Sequence, residues 1–91
     1  MRAAKPEEVL RDVGRRVAEL RVEREQTQAE FAEQLGVTVG YVARVEGGDE
    51  NLTLTSMVKL ANALSVAPAA LLERPQPRKV RPGRPRQRGS R

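Results

Sequence analysis

The chain has 91 residues, a net charge of +5, and neither cysteine nor histidine. That length allows one small domain, near the lower end of what a single core can hold together. Without Cys or His, disulfides, thiolate metal sites and the usual nucleophiles, bases and zinc ligands fall away. The acidic residues are scattered, so no enzyme activity, metal or cofactor is expected.

Met1–Lys5 reads as a loose leader. Met1–Leu10 is charged rather than apolar, so no secretory signal is expected, and a cytoplasmic, nucleoid-associated protein is. Pro6 suits a first helical position, and Glu7 and Glu8 favour the positive end of a helix dipole. Val9, Val13, Val17 and Leu20 then recur at spacings of four, four and three, which predicts helix 1 over about residues 7–24. Gly14 costs this helix about 1 kcal/mol relative to Ala, so close packing against another helix is its expected reason.

Thr27-Gln28-Ala29-Glu30 is a capping box that opens helix 2, and Gly36 ends it. Thr38 caps helix 3, which ends near Glu46 before Gly47-Gly48. Asp49–Leu52 reads as a loop. Thr53 or Thr55 caps helix 4, with Leu54, Met57, Val58, Ala61 and Leu64 as its expected core face. Pro68 starts a short helix 5 carrying Leu71 and Leu72. The run Val66–Leu72 is the longest apolar one; it contains Pro68 and is far too short to span a bilayer, so no membrane partner is expected. From Pro75 on, Pro, Gly and Arg dominate without an apolar period, which predicts a disordered tail. The expected division is a folded domain over 6–74 and a basic Pro/Arg-rich tail over 75–91. Residues 75–91 carry seven Lys or Arg and no acid, whereas residues 1–74 carry ten basic and twelve acidic residues, a balance of −2. A polyanion-binding face on the domain must therefore come from local arrangement of charge.

The most informative stretch is Gln28–Val45, QAEFAEQLGVTVGYVARV. Phe31, Ala32 and Leu35 form one apolar face, and Ala32 is small enough to let a second helix cross closely. Gly36 supplies a sharp, left-handed turn. Val42 and Val45 turn one side of the second helix inward and leave the other free for a groove. Together these read as a helix-turn-helix.

The flanks extend the pattern: AELR, TQAEFA, the LGV turn, GYVARVE followed by Gly-Gly, NLTL and LANALSV. Over about Val9–Leu72 the chain resembles the Cro/C1-type (Xre family) helix-turn-helix domain. The resemblance implies an all-α, compact five-helix, lambda-repressor-like domain that binds double-stranded DNA. One departure stands at the helix 1–2 turn, where Glu25 and Gln26 replace the family's usual Gly and apolar residue; a left-handed Glu is mildly strained, and the alternatives are a wider turn or a longer helix 1.

By resemblance helix 3 is the recognition helix. Thr38, Val39, Gly40 and Arg44 then face the major groove. An Arg fork matches O6 and N7 of guanine, and Val39 can pack on a thymine methyl. The alternatives are a phosphate contact or solvated side chain for Arg44, and simple tolerance at a surface position for Val39 and Gly40. Tyr41 reaches a phosphate or packs. Gln28 at the start of helix 2 binds a phosphate and braces helix 3 in the family, and Thr27 is a cap that can add a phosphate contact. Gly47, Gly48 and Asn51 lie in the loop that the family presses onto the DNA backbone, although Asp49 and Glu50 there repel phosphates. Arg21 and Glu46 match a family pair that ties helix 1 to the end of helix 3.

In the tail, Arg81-Pro82-Gly83-Arg84-Pro85-Arg86 resembles an AT-hook core, with Arg81, Arg84 and Arg86 as minor-groove candidates; Pro82 stands where the hook has a basic residue. The alternative is a basic tail that holds phosphates without reading shape. The expected function is a homodimeric transcription regulator, a repressor, on a palindromic operator, with Val66, Leu71 and Leu72 as dimer candidates. Two alternatives stand beside it. One is the antitoxin of a toxin–antitoxin pair, with a toxin as partner. The other is an architectural protein binding A·T-rich DNA through its tail.

Overall fold

A computed structural model describes residues 4–75. Those residues form four α-helices, α1 (Pro6–Glu23), α2 (Gln28–Leu35), α3 (Val39–Glu46) and α4 (Leu54–Leu64), followed by a 3₁₀ turn, Pro68–Leu72. No strand occurs among them. The expected fifth helix is thus this five-residue 3₁₀ turn. Beyond Pro75 the expected tail lies outside the described residues.

Hydroxyl caps set three of the four helix starts. Thr27 Oγ1 accepts from the Glu30 amide (3.0 Å) while the Thr27 amide donates to Glu30 Oε1 (2.8 Å), completing the capping box. Thr38 Oγ1 accepts from the Tyr41 amide and Thr53 Oγ1 from the Ser56 amide, both at 3.0 Å. The choice between Thr53 and Thr55 therefore falls on Thr53. Pro6 opens α1, with Glu7 and Glu8 in its first turn.

All four helices end in one and the same way. After α2 the Val37 amide donates to the Ala32 carbonyl and the Gly36 amide to Glu33, with Gly36 at φ 76°. This is the Schellman pattern, which returns the last amides onto otherwise orphaned carbonyls. It recurs with Gly48 (φ 79°) after α3, with Ser65 (φ 60°) after α4 and with Glu25 (φ 60°) after α1. At the α1–α2 turn Glu25 itself takes the strained left-handed conformation, and α1 ends at Glu23 rather than running on through the turn. Ser65 was not foreseen, because serine carries no comparable signal.

The core is built from Val13, Val17 and Leu20 of α1, Phe31 and Ala32 of α2, Val42 and Val45 of α3, Leu60, Ala61 and Leu64 of α4, and Leu71 of the 3₁₀ turn. On α4 the inward stripe runs through Met57, Leu60, Ala61 and Leu64, the i, i+3, i+4, i+7 pattern of an amphipathic helix. The expected face was wrong at two positions: Leu54 is 69% and Val58 39% exposed. At about 100° per residue Val58 lies roughly 110° from the centre of that stripe, and Leu60 takes the place assigned to it. Val9 is also exposed, on an open groove between the start of α1 and the 3₁₀ turn.

Gly14 marks the crossing of α1 and α3. A Cβ there would overlap the Val45 carbonyl oxygen and stand 2.8 Å from that of Glu46. At the other side of α1, Arg16 holds the 3₁₀ turn: Nε donates to the Ala70 carbonyl (3.2 Å), and the guanidinium pairs with Glu19 (3.1 Å) and Glu73 (3.4 Å). No helix among the described residues is long and apolar enough to cross a membrane.

Candidate nucleic-acid interface

The α2–α3 pair presents a short helix with two unlike sides. Val42 and Val45 are fully or almost fully buried, whereas Val39, Gly40, Ala43 and Arg44 are exposed. The sequence spacing dictates most of this division: Val42 and Val45, three apart, share a face, residues 40, 43 and 44 fall opposite, and Val39 stands on the flank at the first turn, 49% exposed. The left-handed Gly36 and the Thr38 cap fix the angle at which α3 leaves α2.

A polar network locks the far end of α3. The Arg21 fork reaches Glu46 through Nε–Oε2 (2.6 Å) and Nη2–Oε1 (3.0 Å), and its Nη1 donates to the Gln26 carbonyl (2.6 Å). Both side chains are largely buried. A buried, fully hydrogen-bonded pair of this kind orients more than it stabilises. Here it joins α1, the α1–α2 turn and the last residue of α3. The pair expected from the sequence is present, and the bond to Gln26 anchors the turn beside the strained Glu25.

Gln28 belongs to the same network. Its Nε2 donates to Glu46 Oε1 (2.9 Å), so the first residue of α2 is tied directly to the last residue of α3. A carboxamide has two N–H donors, and this bond engages one of them. Thr27 is exposed, with its hydroxyl engaged in capping, and Thr38 is likewise exposed and engaged. Tyr41 is half-buried and packs against the core. Asn51 is exposed in the loop after α3. The structure thus brings Thr38, Val39, Gly40 and Arg44 onto one exposed surface, with Tyr41 partly withdrawn from it. Arg81, Arg84 and Arg86 lie outside the described residues.

Arg44 is not solitary. Its Nε donates to Glu50 Oε1 at 3.0 Å. The sequence reading treated Glu50 only as a repulsive charge in a loop. The contact follows from the Gly47-Gly48 turn, which folds the chain back on α3 and delivers Glu50 beside Arg44.

A helix-turn-helix family, HTH_3, matches residues 17–71. The chain belongs to this Cro/C1-type (Xre) helix-turn-helix family. Its members are DNA-binding transcription regulators. Among solved structures, the restriction-modification controller protein C.AhdI from Aeromonas hydrophila is 34% identical, with a TM-score of 0.69 over 75% of this chain and 99% of that one. A hypothetical transcription factor, NHTF, from Neisseria is 29% identical, with a TM-score of 0.71 over 82% of this chain and 86% of that one. The clp gene regulator ClgR from C. glutamicum, at 23% identity, shares the fold, with a TM-score of 0.68 over 70% of this chain and 82% of that one. No curated protein matches the chain.

Proposed function

We propose that this helix-turn-helix protein is a sequence-specific repressor that binds a palindromic operator as a homodimer, with α3 in the major groove. The observation that carries the reading is the two-sidedness of α3. Its valines 42 and 45 are spent on the core, while Val39, Gly40 and Arg44 are exposed on a helix braced at its far end by Arg21, Glu46 and Gln28. Arg44 is the candidate guanine reader, Val39 the candidate thymine-methyl contact, and Gly40 lets the helix approach closely. Thr38 stands with them on the groove face, and Thr27, Gln28, Tyr41 and Asn51 are assigned to the phosphate flank, the last through its loop. Residues 6–74 act as the DNA-binding domain and 75–91 as a basic extension.

Leu71 is fully buried within the protomer, so it seals the monomer core. Leu72, 59% exposed, and the exposed Leu54 and Val58 of α4 are the better dimer candidates. A second reading, control of restriction–modification genes, is favoured by the 34% identity to C.AhdI over nearly all of that chain. Enrichment of duplexes from a random-sequence pool tests the main proposal. It predicts two inverted half-sites about one DNA turn, ~34 Å, apart, occupied by two copies of the chain. A single asymmetric site occupied by a monomer contradicts it. Neighbouring genes for a methyltransferase and an endonuclease would select the second reading.

A further inference from the structure

The loop after α3 is built rigidly, and it ends beside Arg44. The Asp49 amide donates to the Arg44 carbonyl (2.8 Å) and the Gly48 amide to that of Val45 (3.1 Å). Gly48 takes the left-handed conformation that this return requires. A Cβ on Gly48 would stand 2.8 Å from Arg11 Cα, so the loop is also seated directly on α1. Glu50 follows immediately. Its Oε1 accepts from Arg44 Nε at 3.0 Å, and its side chain is 27% exposed against 54% for Arg44. The other end of the guanidinium runs back along α3, with Nη1 3.7 Å from the point where a Cβ on Gly40 would stand. The bare backbone of Gly40 is the lane along which the Arg44 side chain lies.

We propose that Glu50 is a specificity-determining residue: through Nε it holds the Arg44 guanidinium over Gly40, presenting Nη1 and Nη2 to a guanine edge while weakening the attraction of Arg44 to phosphates. This rests on the base-reading role of Arg44 proposed above. An unpaired Arg on a helix surface is a mobile cation, and the nearest strong acceptors on DNA are phosphates, which carry no sequence information. A carboxylate fixed at Nε offsets that charge and is itself repelled by phosphates, so indiscriminate contacts are penalised. Guanine O6 and N7 are neutral acceptors. They gain from a fork already oriented and lose little from the neighbouring carboxylate. The pair is too exposed to matter much for folding, and its value lies in orientation.

The test uses the full chain and a duplex enriched by it from a random-sequence pool, with a scrambled duplex of the same composition as control. Glu50→Gln is expected to raise affinity for the scrambled duplex about 2–5-fold, as loss of an exposed ion pair allows. It should lower the ratio of selected to scrambled affinity about 3–10-fold. In an Arg44→Ala background, Glu50→Gln should leave that ratio unchanged. If Glu50→Gln alone leaves the ratio unchanged while Arg44→Ala lowers it, the orienting role is overturned and the base-reading role stands. Equal weakening of both duplexes by Glu50→Gln, with reduced thermal stability, makes Glu50 a structural residue and also overturns the proposal. If Arg44→Ala leaves the ratio intact, or the pool yields no preferred sequence, the base-reading role itself fails and Glu50 has nothing to orient.

Discussion

Among the described residues Glu25 and Ser65 are the two non-glycine residues with a left-handed backbone, and Glu25 is the bulkier of them. It sits exposed at φ 60°, where a non-glycine residue costs about 1–2 kcal/mol. Replacing it with glycine removes that strain but adds entropy to the unfolded chain, an opposing effect of up to about 1 kcal/mol. The strain is the larger effect, so Glu25→Gly is expected to stabilise the domain by about 0.5–1 kcal/mol, a rise in midpoint of roughly 2–8 °C in thermal unfolding. A lowered midpoint would show that the Glu25 side chain contributes more than its backbone costs. Ser65 holds the same conformation, and in both turns the returning amides are satisfied: those of Ser65 and Val66 by the Asn62 and Ala61 carbonyls, those of Glu25 and Gln26 by the Val22 and Arg21 carbonyls.

Between elements, the decisive contact is the crossing of α1 and α3 at Gly14. Helix propensity alone favours Gly14→Ala by about 1 kcal/mol. Packing opposes it, because the new Cβ would meet the Val45 and Glu46 carbonyl oxygens, which are backbone atoms and cannot swing aside. Overpacking of this kind costs about 1–3 kcal/mol and here should exceed the propensity gain. Gly14→Ala is therefore expected to lower the unfolding midpoint, and by shifting α3 it should weaken DNA binding as well. A stabilised variant in denaturant titration would mean the crossing opens readily.

The starts and stops of α2 and α3 were legible in the sequence because Thr27, Thr38 and Gly36 act through local geometry. Gly14 was legible as a close approach, but its partner was not, since that depends on how α3 folds back. On α4 the sequence misled. Leu54 and Val58 are as apolar as the true core residues, and only the packed fold separates the face that Leu60 occupies from the face they occupy. The Arg44–Glu50 contact and the Arg16 clamp on Ala70 were hidden for a related reason: each follows from where a turn delivers a neighbouring segment.

For the molecule as a whole, charge is divided along the chain: −2 over residues 1–74 and +7 over 75–91. A slightly acidic domain gains little from bulk attraction to DNA, so the seven cations between Arg78 and Arg91 should dominate the salt dependence. Each phosphate neutralised contributes roughly 0.9 to the slope of log affinity against log salt. Deleting Gln76–Arg91 is expected to flatten that slope by about 4–6 units per chain while sequence preference survives, since α3 is untouched. An unchanged slope would mean that these residues do not meet DNA. If the extension reads the minor groove, A·T-rich flanks will tighten binding of the full chain alone, and Arg84→Ala will abolish that effect.

The central claim is that α3 reads base pairs through Arg44, and the most direct measurement is the affinity of wild type and Arg44→Ala for the selected duplex and for its scrambled counterpart at one salt concentration. The account predicts a loss of about 1–3 kcal/mol on the selected duplex, with choice relaxed at one base pair per half-site and only a small change on the scrambled one. An equal loss on both duplexes would contradict it and make Arg44 a phosphate contact.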